Sequence, residues 1–153
     1  MRKRTQAREC ALQILYQADI TGYPLDEILP FFWDAHPVPD DVRLFAEELA
    51  RGTLQGLADI DRKIAHYAEN WDLKRMAVVD RNILRFSVYE LLDRPDIPPK
   101  VTINEAVTLA KKYSQAESGK FVNGILDKIF HTDEALQLKQ NSQNIQEHEE
   151  YEI

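Results

Sequence analysis

Apolar residues recur along the chain at the three-and-four spacing of amphipathic helices. Ala7, Cys10, Ala11, Ile14, Leu15 and Ala18 form one stripe, and Val42, Phe45, Leu49 and Thr53 a second. Ile60, Ile64 and Tyr67 continue the pattern, followed by Val79, Ile83, Leu84, Val88 and Leu91. A last stripe holds Phe121, Val122, Ile125, Leu126 and Ile129. No convincing period-two alternation marks a strand. The seven prolines fall in two clusters, Pro24–Pro39 and Pro95–Pro99, and because proline breaks helix interiors both clusters are read as joints.

Capping chemistry refines these boundaries. Thr102-Ile103-Asn104-Glu105 has the form of a capping box, which predicts a helix starting there and running to Ser114. Glu117 or Ser118 is suited to cap the last helix, and Asp40 or Asp41 to open the one through Phe45. Gly52 and Gly56, close to that helix's end, suit either a close helix contact or a C-terminal stop, the stop being the simpler reading for Gly56. The sum is an all-α fold of about seven helices in two packed bundles, the first of three helices and the second of four. No fixed-period repeat points to a solenoid.

Composition narrows the function. The 153 residues, 44% apolar and 29% charged, suffice for one globular domain with a real core. A net charge of -7 argues against a protein that coats nucleic acid, but the charge is unevenly spread. Residues 2–8 hold Arg2, Lys3, Arg4 and Arg8 without an acid, whereas 132–153 carry six acids against one lysine, which leaves residues 1–131 nearly neutral. The division expected is therefore a helical domain over 1–131 and a disordered acidic, polar tail over 132–153. With no signal-like segment or membrane-length apolar run, a cytoplasmic protein is expected. A single cysteine and four scattered histidines suit neither a disulfide nor a metal site. Phosphate-binding glycine loops, the GxSxG elbow and the HExxH motif are all missing, so a non-enzymatic protein without metal or cofactor is expected.

Three segments carry candidate chemistry. The arm and first helix put Arg2, Lys3, Arg4 and Arg8 near Leu12 and Tyr16, a combination suited to pairing phosphates and stacking an unpaired base. The alternative is that Arg8 pairs with a local acid and Tyr16 is half-buried. Glu117–Gly124 joins a helix N-terminus to Lys120 and Phe121, which suits phosphate, although Phe121 fits a core position equally well. Asp80, Arg81, Leu84 and Arg85 lie on one helix as either a partner surface or an ordinary salt-bridged face, and spacing does not choose between them.

Taken together, these motifs resemble the NusB family of bacterial transcription antitermination factors. The likeness runs from about Arg4 to Ile129. It rests on ArgGluCysAlaLeuGlnIleLeuTyrGln at 8–17, Trp71, ValAspArgAsnIleLeuArg at 79–85 and TyrGluLeu at 89–91. It continues with ValThrIleAsnGluAlaValThrLeuAlaLysLysTyr at 101–113 and LysPheValAsnGlyIleLeuAsp at 120–127.

The resemblance implies binding to the boxA element of nascent ribosomal RNA transcripts, strengthened by the ribosomal protein NusE. It also implies indirect association with RNA polymerase and other Nus factors, suppressing premature termination and aiding ribosomal RNA maturation. By position it implies RNA contacts at Arg2, Lys3, Arg4, Arg8, Tyr16, Lys120 and Phe121, with Tyr67 as a weaker candidate. It implies a NusE-facing surface at Asp80, Arg81, Leu84 and Arg85. Thr5 and Gln6 interrupt a basic run that is denser in the family, so weaker unaided RNA binding and greater dependence on NusE are expected. Two other readings compete: a homodimeric interaction module with a masked RNA surface, and an RNA-binding accessory domain of the kind fused to RNA cytosine-5 methyltransferases. The chain has no room for a methyltransferase domain after residue 131.

Overall fold

The computed structural model describes residues 2–69, 71–133 and 136. Among them are seven helices and no strand: α1 (Lys3–Thr21), α2 (Leu25–Ala35), α3 (Asp40–Gln55), α4 (Leu57–Tyr67), α5 (Val78–Asp93), α6 (Pro99–Tyr113) and α7 (Ser118–Thr132), with a short 3-10 turn at Leu73–Arg75. The first three helices pack as one unit and the last four as another. Helix α5 belongs to both, because it packs against α1 and α3 as well as α4, α6 and α7. One apolar cluster runs from Ala7 and Ile14 through Leu49 and Ile83 to Leu126 and Ile129, covering the predicted stripes. No described helix is long and apolar enough to cross a membrane.

Two expectations about boundaries are corrected. The first proline cluster is not a joint, because α2 lies inside it and carries Pro30 in its interior. Leu25, Ile28, Leu29, Phe32 and Trp33 are buried along one face of α2, and that burial outweighs the one backbone hydrogen bond Pro30 removes on the exposed side. The second correction concerns α6, which begins at Pro99 rather than at Thr102. Proline at the first helical position loses nothing, since its N–H would have had no intrahelical partner. The supposed capping residues work elsewhere: the Thr102 hydroxyl donates to Glu90 Oε1 at 2.9 Å, and Glu105 Oε1 accepts from the Thr5 hydroxyl at 2.8 Å.

Both glycines of α3 act as expected. Gly56 terminates the helix, and Gly52 allows α5 to come close: a Cβ there would overlap the Tyr89 ring. Helix α1 stops at Gly22, whose φ of 71° is open to glycine without strain and whose N–H donates to the Ala18 carbonyl at 2.9 Å.

The core is bolted by two ionic networks. Arg8, 2% exposed, reaches from α1 to α5 and donates from Nε and Nη2 to Glu90 Oε2 and Oε1 at 2.8 and 2.7 Å. At the far end of α1, Asp19 Oδ2 accepts from Arg81 Nε, Asn82 Nδ2 and Arg85 Nη1 at 2.9, 2.9 and 3.0 Å. Arg85 also forks onto both oxygens of Asp61 in α4, each at 2.9 Å. Burial by itself would raise the Asp19 carboxyl, but hydrogen bonds from Arg81 and Asn82 and the charges of Arg85 and Arg81 more than offset it.

Asp19 therefore titrates below the usual carboxylate range in the folded state. Its contribution to stability is complete above the unfolded value of about 3.9 and is lost as pH falls through the lower folded value. Melting temperature followed from about pH 5 to pH 2 is expected to fall less steeply in Asp19→Asn, which starts lower at neutral pH. Parallel curves for the two proteins would exclude Asp19 from the acid response.

The acidic tail expected over 132–153 lies mostly outside the described residues. At its start, Asp133 Oδ2 accepts from Lys63 Nζ at 2.8 Å, and Asp133 Oδ1 accepts the backbone N–H of Leu136, whose side chain is buried.

Candidate nucleic-acid interface

The basic arm lies where α1 begins beside α3. Arg2 and Lys3 are exposed, and Lys3 Nζ donates to Asp41 Oδ2 at 2.8 Å. That lysine is the main reason the Asp41 carboxyl is held below its ordinary range. The Arg4 guanidinium sits over the Phe45 ring, 4.6 Å from its centroid, and Arg94 approaches the same ring at 5.3 Å. Phe45 thus gathers cations at the mouth of the arm.

Farther along α1, about 18 Å from Arg4 at the helical rise, Tyr16 is 40% exposed. It lines a cleft of about 360 Å³ with Leu12 of α1, Val79 of α5 and Tyr113 of α6. The next residue of α5, Asp80, opens on a second cavity of about 360 Å³, shared with Trp71, Ser118 and Phe121. Asp80 is 7% exposed, and its Oδ2 accepts from the Ser118 hydroxyl at 3.0 Å.

Phe121 is half-buried and meets Trp71 edge to face, centroids 5.3 Å apart and planes at 67°. A third cavity, of about 230 Å³, adjoins these rings and is lined by Tyr67, Lys120, Gly124 and Lys128. Asp80, Phe121, Lys120 and Tyr67 are in this way linked across α5, α7 and α4 by two hollows that share Trp71 and Phe121, and the Tyr16 cleft is lined by Val79, next to Asp80 in the chain; Lys3 and Arg4 line a separate hollow with Asp41, Val42 and Phe45. A larger hollow of about 960 Å³, among α3, α4, α5 and α7, is lined by the ion pairs Arg62–Asp59 and Lys63–Asp133 and by Asp93 and His66.

Four expected site residues do not belong to an open surface. Arg8 is closed inside the protein on Glu90, so its guanidinium is not available to a phosphate. Leu84 is fully buried, and Arg81 and Arg85 are spent on Asp19 and Asp61 with only 13% and 12% of their side chains exposed. The reason is the central place of α5: helices surround it, so its charges turn to internal partners. Asp80 alone among the four residues expected to face NusE opens on a cavity.

Conversely, Trp71 and Lys128 were not among the expected site residues. Trp71 is 57% exposed, and its position outside every apolar stripe is the signal in the chain that would have marked it. Lys128 gives no such signal, since a lone lysine on the polar side of a helix is ordinary.

The sequence pattern of the NusB family matches residues 5–131. The chain belongs to the NusB family. Among its relatives, the transcription antitermination protein NusB of Anaeromyxobacter dehalogenans is 51% identical over 128 residues, covering 83% of this chain and 89% of the relative. The protein of the same name from Desulfitobacterium hafniense is also 51% identical over 128 residues, covering 82% and 86%. The solved NusB of T. maritima superposes with a TM-score of 0.80 at 40% identity, over 90% of this chain and 96% of that one. A crystal structure of the antitermination factors NusB and NusE in complex with dsRNA also matches, with a TM-score of 0.78 at 30% identity, over 85% and 97%. The all-α fold and the family expected from the motifs are those observed, and this NusB-family chain is a transcription antitermination factor.

Proposed function

We propose that this NusB-family protein binds boxA RNA of nascent ribosomal transcripts jointly with NusE, in the cytoplasm. There it suppresses premature termination and aids ribosomal RNA maturation, meeting RNA polymerase and the other Nus factors through that complex. It holds RNA in place without a catalytic step and without a cofactor. The observation that carries this reading is the set of aromatic and basic side chains that line surface hollows, Tyr16 in one and Phe121 with Lys120 in another, together with the exposed Arg2, Lys3 and Arg4 at the start of α1. Cations there neutralise phosphates, and exposed rings offer faces to unpaired bases. The solved complex of NusB and NusE with RNA, superposable on most of this chain, supports the same reading.

The ionic residues of α5 have a supporting part in it. Arg81 and Arg85 hold α1 and α4 against α5 through Asp19 and Asp61, and so fix Tyr16 relative to Asp80.

Fluorescence anisotropy of labelled boxA RNA and a scrambled control, with and without NusE and at two salt concentrations, tests the proposal. Selective binding of boxA that tightens with NusE is expected. Equal, salt-labile binding of both RNAs with NusE present would overturn it.

A further inference from the structure

We infer that Thr5 is a positioning residue for RNA: through Glu105 of α6 it holds the first turn of α1 helical, so that Arg2, Lys3 and Arg4 meet phosphates as one fixed set. The inference rests on the RNA-binding reading above and adds to it a residue that carries no charge and need not touch a phosphate.

Helix α1 begins without the usual local support. Its N-cap is Arg2, whose side chain caps no backbone N–H, and its first turn contains no acid. Lys3 and Arg4 instead put positive charge at the positive end of the helix dipole, where cations oppose the helix. A turn of this composition frays when left to itself, because its first N–H groups lack intrahelical partners. Yet the turn is closed, with the Gln6 N–H donating to the Arg2 carbonyl at 3.0 Å. The support therefore comes from other helices.

Three contacts supply it. Lys3 Nζ donates to Asp41 Oδ2, the Arg4 guanidinium lies over the Phe45 ring, and the Thr5 hydroxyl donates to Glu105 Oε1 at 2.8 Å. The first two engage the very cations that RNA needs. A phosphate that draws Lys3 from Asp41, or Arg4 from Phe45, loosens the contact it replaces, and both cations are exposed to such competition. The third contact uses a neutral hydroxyl. It persists while all three cations turn to phosphate, and it is partly shielded from water, since Thr5 is half-buried and only 20% of the Glu105 side chain is exposed.

The consequence for binding is specific. Ordering a long side chain or a loose segment on association costs affinity, and a start of α1 that is already ordered avoids that cost. The number of phosphates neutralised is unaffected, because Thr5 brings no charge. Affinity is thus expected to depend on Thr5 while the slope of log affinity against log salt does not, since that slope counts ionic contacts. In the sequence Thr5 is a gap in a basic run. In the structure it is what keeps the cations around it in register.

The test is to titrate the full chain, with NusE present, against labelled boxA RNA at several salt concentrations. Thr5→Val keeps the shape and removes the hydroxyl. It is expected to bind roughly three- to tenfold more weakly at every salt concentration, with an unchanged slope. Its Gln6 amide is expected to exchange with solvent faster by a similar factor, roughly three- to tenfold, as the turn opens more often. Thr5→Ser retains the hydroxyl and restores both quantities. With Arg2, Lys3 and Arg4 already replaced by alanine, Thr5→Val is expected to lower affinity no further, because no cation remains to be positioned.

A purely structural role would not produce that dependence on the arm. Affinity of Thr5→Val equal to the parent's overturns the inference, as does a full loss that persists without the three cations. A slope shallower by about 0.7 in Thr5→Val would mean that a phosphate contact has gone, and likewise overturns it. In each of these cases selective binding of boxA with NusE by the unmodified chain leaves the broader reading standing. No binding of boxA by that chain, even with NusE, would remove both.

Discussion

Arg8→Ala is expected to lower the free energy of unfolding by about 3–5 kcal/mol, the usual cost of breaking a buried ion pair by removing one partner. The effect is large because Glu90 stays behind, 1% exposed, with the Thr102 hydroxyl as its remaining close partner. For a domain whose total stability is about 5–15 kcal/mol, the loss is a major fraction. Chemical denaturation measures it, and a shift in midpoint without a change in slope would show that stability alone has moved. Removing both charges, as in Arg8→Leu with Glu90→Leu, costs less than Arg8→Ala, because no charge is left stranded. RNA affinity of the folded Arg8→Ala molecules remains near that of the parent, since this guanidinium does not reach the surface. A stable Arg8→Ala protein that binds RNA poorly would reverse the assignment.

Replacing Arg2, Lys3 and Arg4 together by alanine has the opposite signature. Stability changes by well under the Arg8 effect, since the Lys3–Asp41 pair is exposed and such pairs are screened by solvent. RNA affinity at about 0.1 M salt falls roughly ten- to a hundred-fold, and the slope of log affinity against log salt becomes shallower by about two. Single-stranded RNA titrated at several salt concentrations gives both quantities. An unchanged slope would mean that the arm does not meet phosphate. On the proposed reading, two neighbouring stretches of α1 divide the work, the arm for RNA and Arg8 for the fold.

That division was only half legible in the chain. Periodicity located α1, α3, α4, α5 and α7 because their stripes are regular, the capping pattern at Thr102–Glu105 located α6, and the seven-helix sum was right. Helix α2 was hidden by Pro30, although Leu25, Ile28, Leu29, Phe32 and Trp33 carry the helical spacing. The start of α6 was misplaced because Thr102 and Glu105, which look like a local cap, serve partners on α5 and α1. In the candidate interface, Tyr16, Lys120 and Phe121 line surface hollows, and the sequence could single them out because a polar helix start and an aromatic beside cations are local features. Whether Arg8 or Arg85 turns outward is not local. Arg8 is decided by Glu90 and Arg85 by Asp19 and Asp61, acids far away along the chain. The burial of Asp80 beside Ser118 is likewise a matter of what surrounds it, and no pattern of residue types contains that.

The Arg8–Glu90 pair also sets an order of events at the ribosome. Its two members are 82 residues apart, and α1 packs mainly on α2, α3 and α5, with Thr5 reaching α6 through Glu105. At synthesis rates of about 5–20 residues per second, the first helix emerges and waits on the order of 4–16 seconds before its ionic partner is translated. During that interval Arg8 is as open to solvent as Arg4, and α1 is a basic, half-apolar segment without a lid. The appearance of α5 removes one arginine from the exterior and leaves the others there. The inward and outward cations of this protein are sorted by the arrival of a helix made long after them.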